Sequence, residues 1–409
     1  MRSLKYFLAS MFPRKITLYI KYIYHIIYRV LHNIKVLETN CNIDIRKKGN
    51  CHTFFGYYDI SPFNSISDEI IYLRLPKYLN EAQIILASLN STVENVIAKT
   101  SAWNWQQGSR LRWMPNNSRE IVFNDYVDKK YVARIINIDN RNERIIDAPL
   151  YDISPDGKWG LSIDFERLQN KRPGYGYNCG QYVENNESLS EEGIDLVDIA
   201  NNTYKRIITY KEIVQLNGCE SNELNSNYIN HLSFSPSGEK FLFFWLTAKE
   251  GAHLANLLVF DIKNKNTIVL ESHKQVSHYA WEDDDHIICT AYNDERSCNY
   301  FRYTISDKKR EVIMPEVLSE DGHPSLINNH TILTDTYPDL QGFQKLYLVD
   351  ISTGKVKNIV KVYSDCRIEG EKRTDLHPRL NLNHSMICYD SNQYRFRCLN
   401  ILKLNDESV

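Results

Sequence analysis

Two stretches, Leu150-Tyr-Asp-Ile-Ser-Pro-Asp-Gly-Lys-Trp-Gly-Leu-Ser-Ile-Asp164 and His231-Leu-Ser-Phe-Ser-Pro-Ser-Gly-Glu-Lys-Phe-Leu-Phe-Phe-Trp245, carry one pattern. Each is a short apolar strand, a Ser-Pro-x-Gly turn and a second apolar strand. Proline presets φ and glycine supplies the left-handed residue, so the pattern predicts an antiparallel hairpin. The same pattern recurs outward in both directions. Units begin at Tyr57, Arg110, Leu150, His231, His278, His323 and His377, with spacings of 53, 40, 81, 47, 45 and 54 residues. Third and fourth strands follow within the units, as in Tyr131–Asp139 with Glu143–Asp147 and Leu346–Ile351 with Val356–Val360. Four short strands per repeat of this length are the signature of a propeller blade.

The sequence therefore predicts an all-β, seven-bladed β-propeller over residues 37–409. The 81-residue spacing marks an insertion at 165–192. The seventh unit ends on one further strand, Phe396–Leu404, with no partner after it. An early strand near Asn42–Lys47 is expected to complete that blade, because ring closure removes exposed sheet edges.

Bulk properties fit a globular protein and exclude several classes. The 409 residues are 43% hydrophobic and 24% charged, with a formal net charge of -2. Such a balance lacks the basic field that gathers nucleic acid, and no nucleic-acid partner is expected. The nine cysteines are odd in number, irregularly spaced and without a C-x-x-C pair. A zinc ribbon or disulfide framework is thereby disfavoured, and a reducing compartment is expected. No P-loop, G-x-S-x-G, H-E-x-x-H or dinucleotide-binding motif occurs.

Residues 1–36 differ in character. Pro13-Arg14-Lys15 ends a short apolar run, and Lys21, His25 and Arg29 interrupt the next. The segment is thus neither a signal peptide nor a spanning helix. On a helix, Lys21, His25, Arg29, His32 and Lys35 share one face, while Ile16, Ile20, Ile23, Ile27, Val30, Leu31 and Ile34 share the other. Two placements follow: a helix lying on an anionic membrane surface, or one packed on the propeller's flank. The first is expected, with the protein peripheral on the cytoplasmic face of the inner membrane and a periplasmic location as the alternative.

Aligning the repeats also aligns four histidines. His231, His278, His323 and His377 each open the innermost strand of their unit, on one arc around the channel mouth. Neutral imidazole is a favoured ligand of Mn, Zn and Fe, so a divalent metal is a candidate cofactor. Arg110, Arg373 and Arg379 are candidate bidentate clamps for a carboxylate. Asp375 is placed to orient a histidine. Trp103, Gln107 and Tyr337 fall on the same face, and so does the insertion, with Arg172, Tyr175 and Tyr177. Arginine and aromatics on a long loop over a channel suit a sugar platform or lid. The Asp283–Asp285 run and His286 fall in a turn on the opposite face.

Several of these strings resemble those of TolB-like propeller proteins encoded among bacterial surface-polysaccharide genes. They are His52–Pro62, Trp103–Gly108, Arg172–Tyr177, Asp321–Ser325, Leu333–Asp339 and Asp375–Arg379. The plan is more distantly similar to oligogalacturonate lyase, a seven-bladed propeller with a manganese site. That resemblance implies His278, His323 and His377 as metal ligands. It also implies a carbohydrate-active role, acting on polysaccharide or oligosaccharide. One reading is a uronate polysaccharide lyase working by β-elimination, with Arg110 and Arg373 as clamps and Tyr57, Tyr337 or His231 as the base. The other is a non-catalytic propeller that binds a glycan or a partner at the membrane surface.

Overall fold

A computed structural model of the chain describes residues 13–182, 189–216, 219, 224–249, 252–292 and 297–404. Seven antiparallel sheets form the ring. Their innermost strands are, in order, His52–Phe54, Arg112–Met114, Asp152–Ile153, Asn227–Phe234, Val276–Trp281, Ser325–Asn328 and Arg379–Leu380. Alternate strand residues are buried between blades. Phe241, Leu242, Phe243 and Phe244 of the fourth blade are all fully buried, because a second strand packs on both neighbouring blades.

The ring closes as the repeat count requires. Asn42–Arg46 pairs with Cys398–Lys403, the last strand of the chain, from Asn42 opposite Lys403 to Arg46 opposite Leu399. One feature was not anticipated from the repeats. Leu37–Thr39 adds a fifth strand to the sixth blade, pairing with Val360–Val362. Two consecutive early strands therefore straddle the seam between the last two blades.

The first unit departs from its expected boundary. Its inner strand is His52–Phe54, and Tyr57 lies in the loop that follows. Gly56 explains the break. Its φ is +140°, and a Cβ there would lie 2.8 Å from the backbone carbon of Gln107. Only glycine tolerates both. The chain then turns into the channel, where Tyr58 bridges to the fifth blade. The Tyr58 hydroxyl donates to the Tyr279 carbonyl and accepts from the Tyr279 N–H, both at 2.7 Å.

The insertion follows the second strand of the third blade, Trp159–Ser162. It opens with a helix, Phe165–Lys171, whose first N–H groups are accepted by the Asp164 carboxylate. The part of its acidic stretch at 183–188 lies outside the described residues.

The N-terminal helix runs Arg14–Leu31, and residues 1–12 lie outside the described ones. It sits against the sixth blade and the loop after it, docking through His25 and Arg29 of its polar face, while Lys21 and His32 of that face stay exposed. His25 is buried, its Nδ1 3.3 Å from the Tyr363 hydroxyl and its Nε2 3.2 Å from the Leu340 carbonyl. Arg29 stacks on Tyr363, Arg367 stacks on Tyr22, and Arg14 pairs with Glu369 at 2.9 Å. The apolar face points away from the protein. No helix among the described residues is long and apolar enough to cross a membrane.

Candidate active site

The register slots converge at the top of the channel. Tyr57 lies at the centre, its ring 4.8 Å from His377, 5.2 Å from His231, 6.1 Å from His323 and 6.3 Å from His278. The His278 and His323 rings are 4.0 Å apart, and those of His323 and His377 are 4.4 Å apart. Backbone geometry aims these side chains. His231 and His377 have φ of 57° and 48°, and the strand register shifts at His231 and again at His278. A left-handed residue or bulge at a strand entry turns a side chain that would face a neighbouring blade towards the axis.

Each ring is held through one nitrogen. His323 Nδ1 lies 2.8 and 3.0 Å from the two Asp335 oxygens. His278 Nδ1 lies 3.0 Å from Asp321, a carboxylate that also accepts from Thr290 and Ser277. His377 Nδ1 meets the Gly56 carbonyl at 2.9 Å. Asn230 accepts from Gln107 and Tyr151 through its carbonyl oxygen, so its amide nitrogen faces His231 Nε2 at 3.3 Å. His231 consequently carries its proton on Nδ1 when neutral.

The remaining atoms point inward. His323 Nε2, His377 Nε2, His231 Nδ1 and the Tyr57 hydroxyl are buried without a hydrogen-bond partner. Such groups cost about 1–3 kcal/mol each when left unpaired, so four at one place describe a cradle for a polar guest. The ligand atoms of His323, Asp375 and His377 all lie within 4.8 Å of one another. Two imidazole nitrogens and a carboxylate oxygen suit Mn, Fe or Zn, and the Asp335 and Gly56 contacts are the outer partners that ligating histidines carry. Of the expected ligands, His323 and His377 belong to this group and His278 does not; Asp375, expected to orient a histidine, could also ligate, and Asp335 and Asp321 hold the Nδ1 atoms of His323 and His278.

Burial, then neighbouring cations and histidines, pushes His231 and His377 well below the usual imidazole range. His278 is also lowered, chiefly by burial. Burial opposes the charged form of His323 as well, but Asp335 outweighs it and raises the pKa. Asp321 falls to about 2, because His278 more than offsets its burial. Burial raises the Tyr57 phenol well above its ordinary value, and nearby phenols add to this. A phenol so placed keeps its proton and can serve as a donor.

Other expected site residues divide into two groups. Tyr175 reaches the cluster from the insertion, with its hydroxyl accepting from Arg373 at 3.0 Å. Arg373 also holds Asp375 at 2.9 Å, and Tyr337 lies 5.9 Å from His323. Arg172 stacks over Tyr175 and forms no ion pair among the described residues. Gln107 faces the channel beside Asn230. Asn104 and Gln106 pin the insertion down, bonding the Tyr175 carbonyl and the Gly174 carbonyl at 2.9 and 3.2 Å. Gly174 lies close to Glu371, so the insertion reaches the segment that precedes the seventh blade.

The second group holds the framework together instead. Arg110 is neutralised by Asp59 at 2.8 Å and donates to the Tyr151 carbonyl. Arg379 is fully buried with Asp390 at 3.2 Å and binds the Gly56 and Tyr57 carbonyls. It thus fixes the backbone that presents Tyr57. Trp103 donates to the Asn80 carbonyl at 2.6 Å. Tyr177 is buried on Phe165 and accepts from Asn124. Arg110 and Arg379 are thus each paired with a carboxylate and Tyr177 is buried, while Trp103 stays half-exposed. The Asp283–Asp285 run serves turns and blade contacts: Asp283 caps His286, Asp284 accepts from Ser237 and Asp285 from Ser306.

A side entrance reaches the cluster. A cavity of about 620 Å³ lies between the N-terminal helix and the loops of the sixth and seventh blades, lined by Lys21, His25, Tyr337, Arg373 and Asp375 among others.

The fold has solved counterparts. Oligogalacturonate lyase in complex with manganese superposes with a TM-score of 0.66 at 12% identity, covering 91% of this chain and 95% of that one. Oligogalacturonate lyase from Vibrio parahaemolyticus gives 0.65 at 12% identity, covering 91% and 99%. The tricorn protease gives 0.52 at 11% identity, covering 85% of this chain and 34% of that one. At these identities the likeness is one of fold. No protein-family model matches the chain, and no curated protein matches it in sequence.

Proposed function

We propose that this propeller is a metal-assisted lyase that cleaves uronate-containing polysaccharide by β-elimination. Two observations carry the reading: the Nε2 atoms of His323 and His377 are buried and unpartnered, and these two residues group with Asp375, one ligand atom from each lying within 4.8 Å of the others. These three residues would hold a divalent cation. Bound there, such a cation supplies Lewis-acid stabilisation of charge on a uronate carboxylate, which acidifies the neighbouring C–H. The overall likeness to a manganese-bound oligogalacturonate lyase supports the same chemistry.

The chain's own residues supply the rest. His278, with Nδ1 fixed by Asp321, presents Nε2 as the base that takes the α-proton. The C–H electron pair becomes the new C=C bond, and the glycosidic C–O bond breaks. Tyr57 donates its phenolic proton to the departing oxygen. His231 offers its Nδ1–H to the substrate carboxylate. Arg172, free of an ion pair among the described residues, pairs with a further carboxylate of the chain, and Tyr175 stacks on a sugar face. The insertion acts as a lid that excludes water while this happens.

Elemental analysis of the full chain, beside a His323→Ala/His377→Ala variant, tests the metal. About one equivalent of Mn, Fe or Zn, lost in the variant while circular dichroism is kept, is expected. Incubation with uronate polymers should then give new ultraviolet absorbance from unsaturated ends. Absence of metal after supplementation, or of any unsaturated product across uronate polymers, overturns the reading.

A further inference from the structure

The N-terminal helix is amphipathic in the sense opposite to that of an ordinary surface helix. Its charged and hydrogen-bonding residues Arg14, His25 and Arg29 face the propeller. Its outward face is Ile16, Tyr19, Ile23, Ile27, Val30 and Leu31, all exposed, with Val30 and Leu31 at 73% and 75%. A surface helix normally buries its apolar stripe. Here the protein uses specific polar contacts to hold the stripe outward, and an exposed apolar patch of this kind marks an interaction site.

We propose that this face docks on an anionic lipid bilayer. Charge complementarity selects that occupant. No acidic residue precedes Glu38, and three lysines are exposed: Lys15 at the edge of the stripe, Lys21 on the face that carries His25 and Lys35 just past the end of the helix. An apolar stripe with lysines near it is the composition that lies in a bilayer interface, the stripe in the acyl boundary and the lysines at anionic headgroups. The same helix walls the side entrance through Lys21 and His25, opposite Tyr337 and Arg373. Docking therefore sets the entrance of the channel site close to the bilayer surface. The inference is independent of the lyase chemistry and stands or falls without it.

Co-sedimentation of the full chain with phosphatidylglycerol–phosphatidylcholine vesicles tests it. We expect binding that weakens with salt, is at least tenfold weaker on pure phosphatidylcholine, and is lost in Ile23→Glu/Ile27→Glu. Because both side chains point away from the protein, the thermal midpoint should be unchanged. An uncharged pair, Val30→Ser/Leu31→Ser, gives a second reading should the first variant misfold. No vesicle binding by the full chain, or binding by both variants as tight as that of the unsubstituted chain, overturns the proposal. So does a dimer in light scattering that the same substitutions dissociate, since the face would then belong to a second copy of this chain.

Discussion

At the residue scale, the decisive atoms are ring nitrogens whose partners lie elsewhere in the sequence. The four histidines were legible because a repeat places equivalent residues at equivalent positions. Their carboxylates were not, because register alignment compares one slot across blades and says nothing of cross-strand neighbours. Asp335 lies at the end of the strand after His323, and Asp321 belongs to the loop that reaches back to His278 in the previous blade. Both stood in motif strings without an assigned role. The carboxylate partners of two arginines were hidden for the same reason: Arg110 and Arg379 sit at a channel address, and Asp59 and Asp390 neutralise them. If Asp321 fixes the tautomer of His278, Asp321→Asn should lower lyase turnover about 10–100-fold while metal content stays at the wild-type level. Loss of metal in that variant would instead make His278 a ligand. Arg379→Met should leave Asp390 buried and unpaired, costing about 3–5 kcal/mol, a drop readily seen by thermal melting. An unchanged midpoint would show that Arg379 does not hold the Gly56–Tyr57 backbone.

At the scale of elements, hydrophobic patterning identified the N-terminal helix and its two faces but not which face docks. That choice depends on acceptors the pattern cannot reveal: the Leu340 carbonyl, the Tyr363 ring and Glu369. The docked face carries a pH dependence. Burial, and then Lys21, lowers His25 to about 4 from an ordinary 6.5, with Arg29 adding to this and the Leu340 carbonyl and Asp339 opposing it. In the undocked helix His25 binds its proton more readily. Its contribution to docking is thus fully present above about pH 6.5 and is lost as pH falls towards 4. Protection factors in Arg14–Leu31, which remove the intrinsic slowing of exchange with falling pH, should drop over that window while those of the blades are kept. His25→Gln should flatten the profile, and a helix with the same protection factors at pH 7 and pH 4.5 would refute the assignment.

The whole molecule depends on a seam that the repeat arithmetic made legible only in half. Counting strands called for one early strand on the seventh blade, and Asn42–Arg46 supplies it. The count had no place for Leu37–Thr39, since the sixth blade already has four strands. With that addition, neighbouring blades at the seam are tied by one continuous stretch of chain, reinforced where the Thr39 hydroxyl donates to the Ile359 carbonyl at 2.8 Å. A propeller lacking its closing strand leaves a row of unpaired N–H and C=O groups on the last strand, and such an edge invites pairing between chains. Two truncations separate the helix from the seam. Removing residues 1–35 should leave a monomer whose thermal transition is close to that of the full chain, because both early strands remain. Removing residues 1–47 should abolish ring closure, exposing the edge of Cys398–Lys403 and giving aggregation in size-exclusion chromatography with a lower or lost transition. Equal melting of the two truncated proteins would mean that the blades hold the ring without the seam. The shorter deletion also isolates the two proposals: it removes the bilayer-docking face and one wall of the side entrance while leaving His323, Asp375 and His377 in place, so metal content should survive where vesicle binding does not.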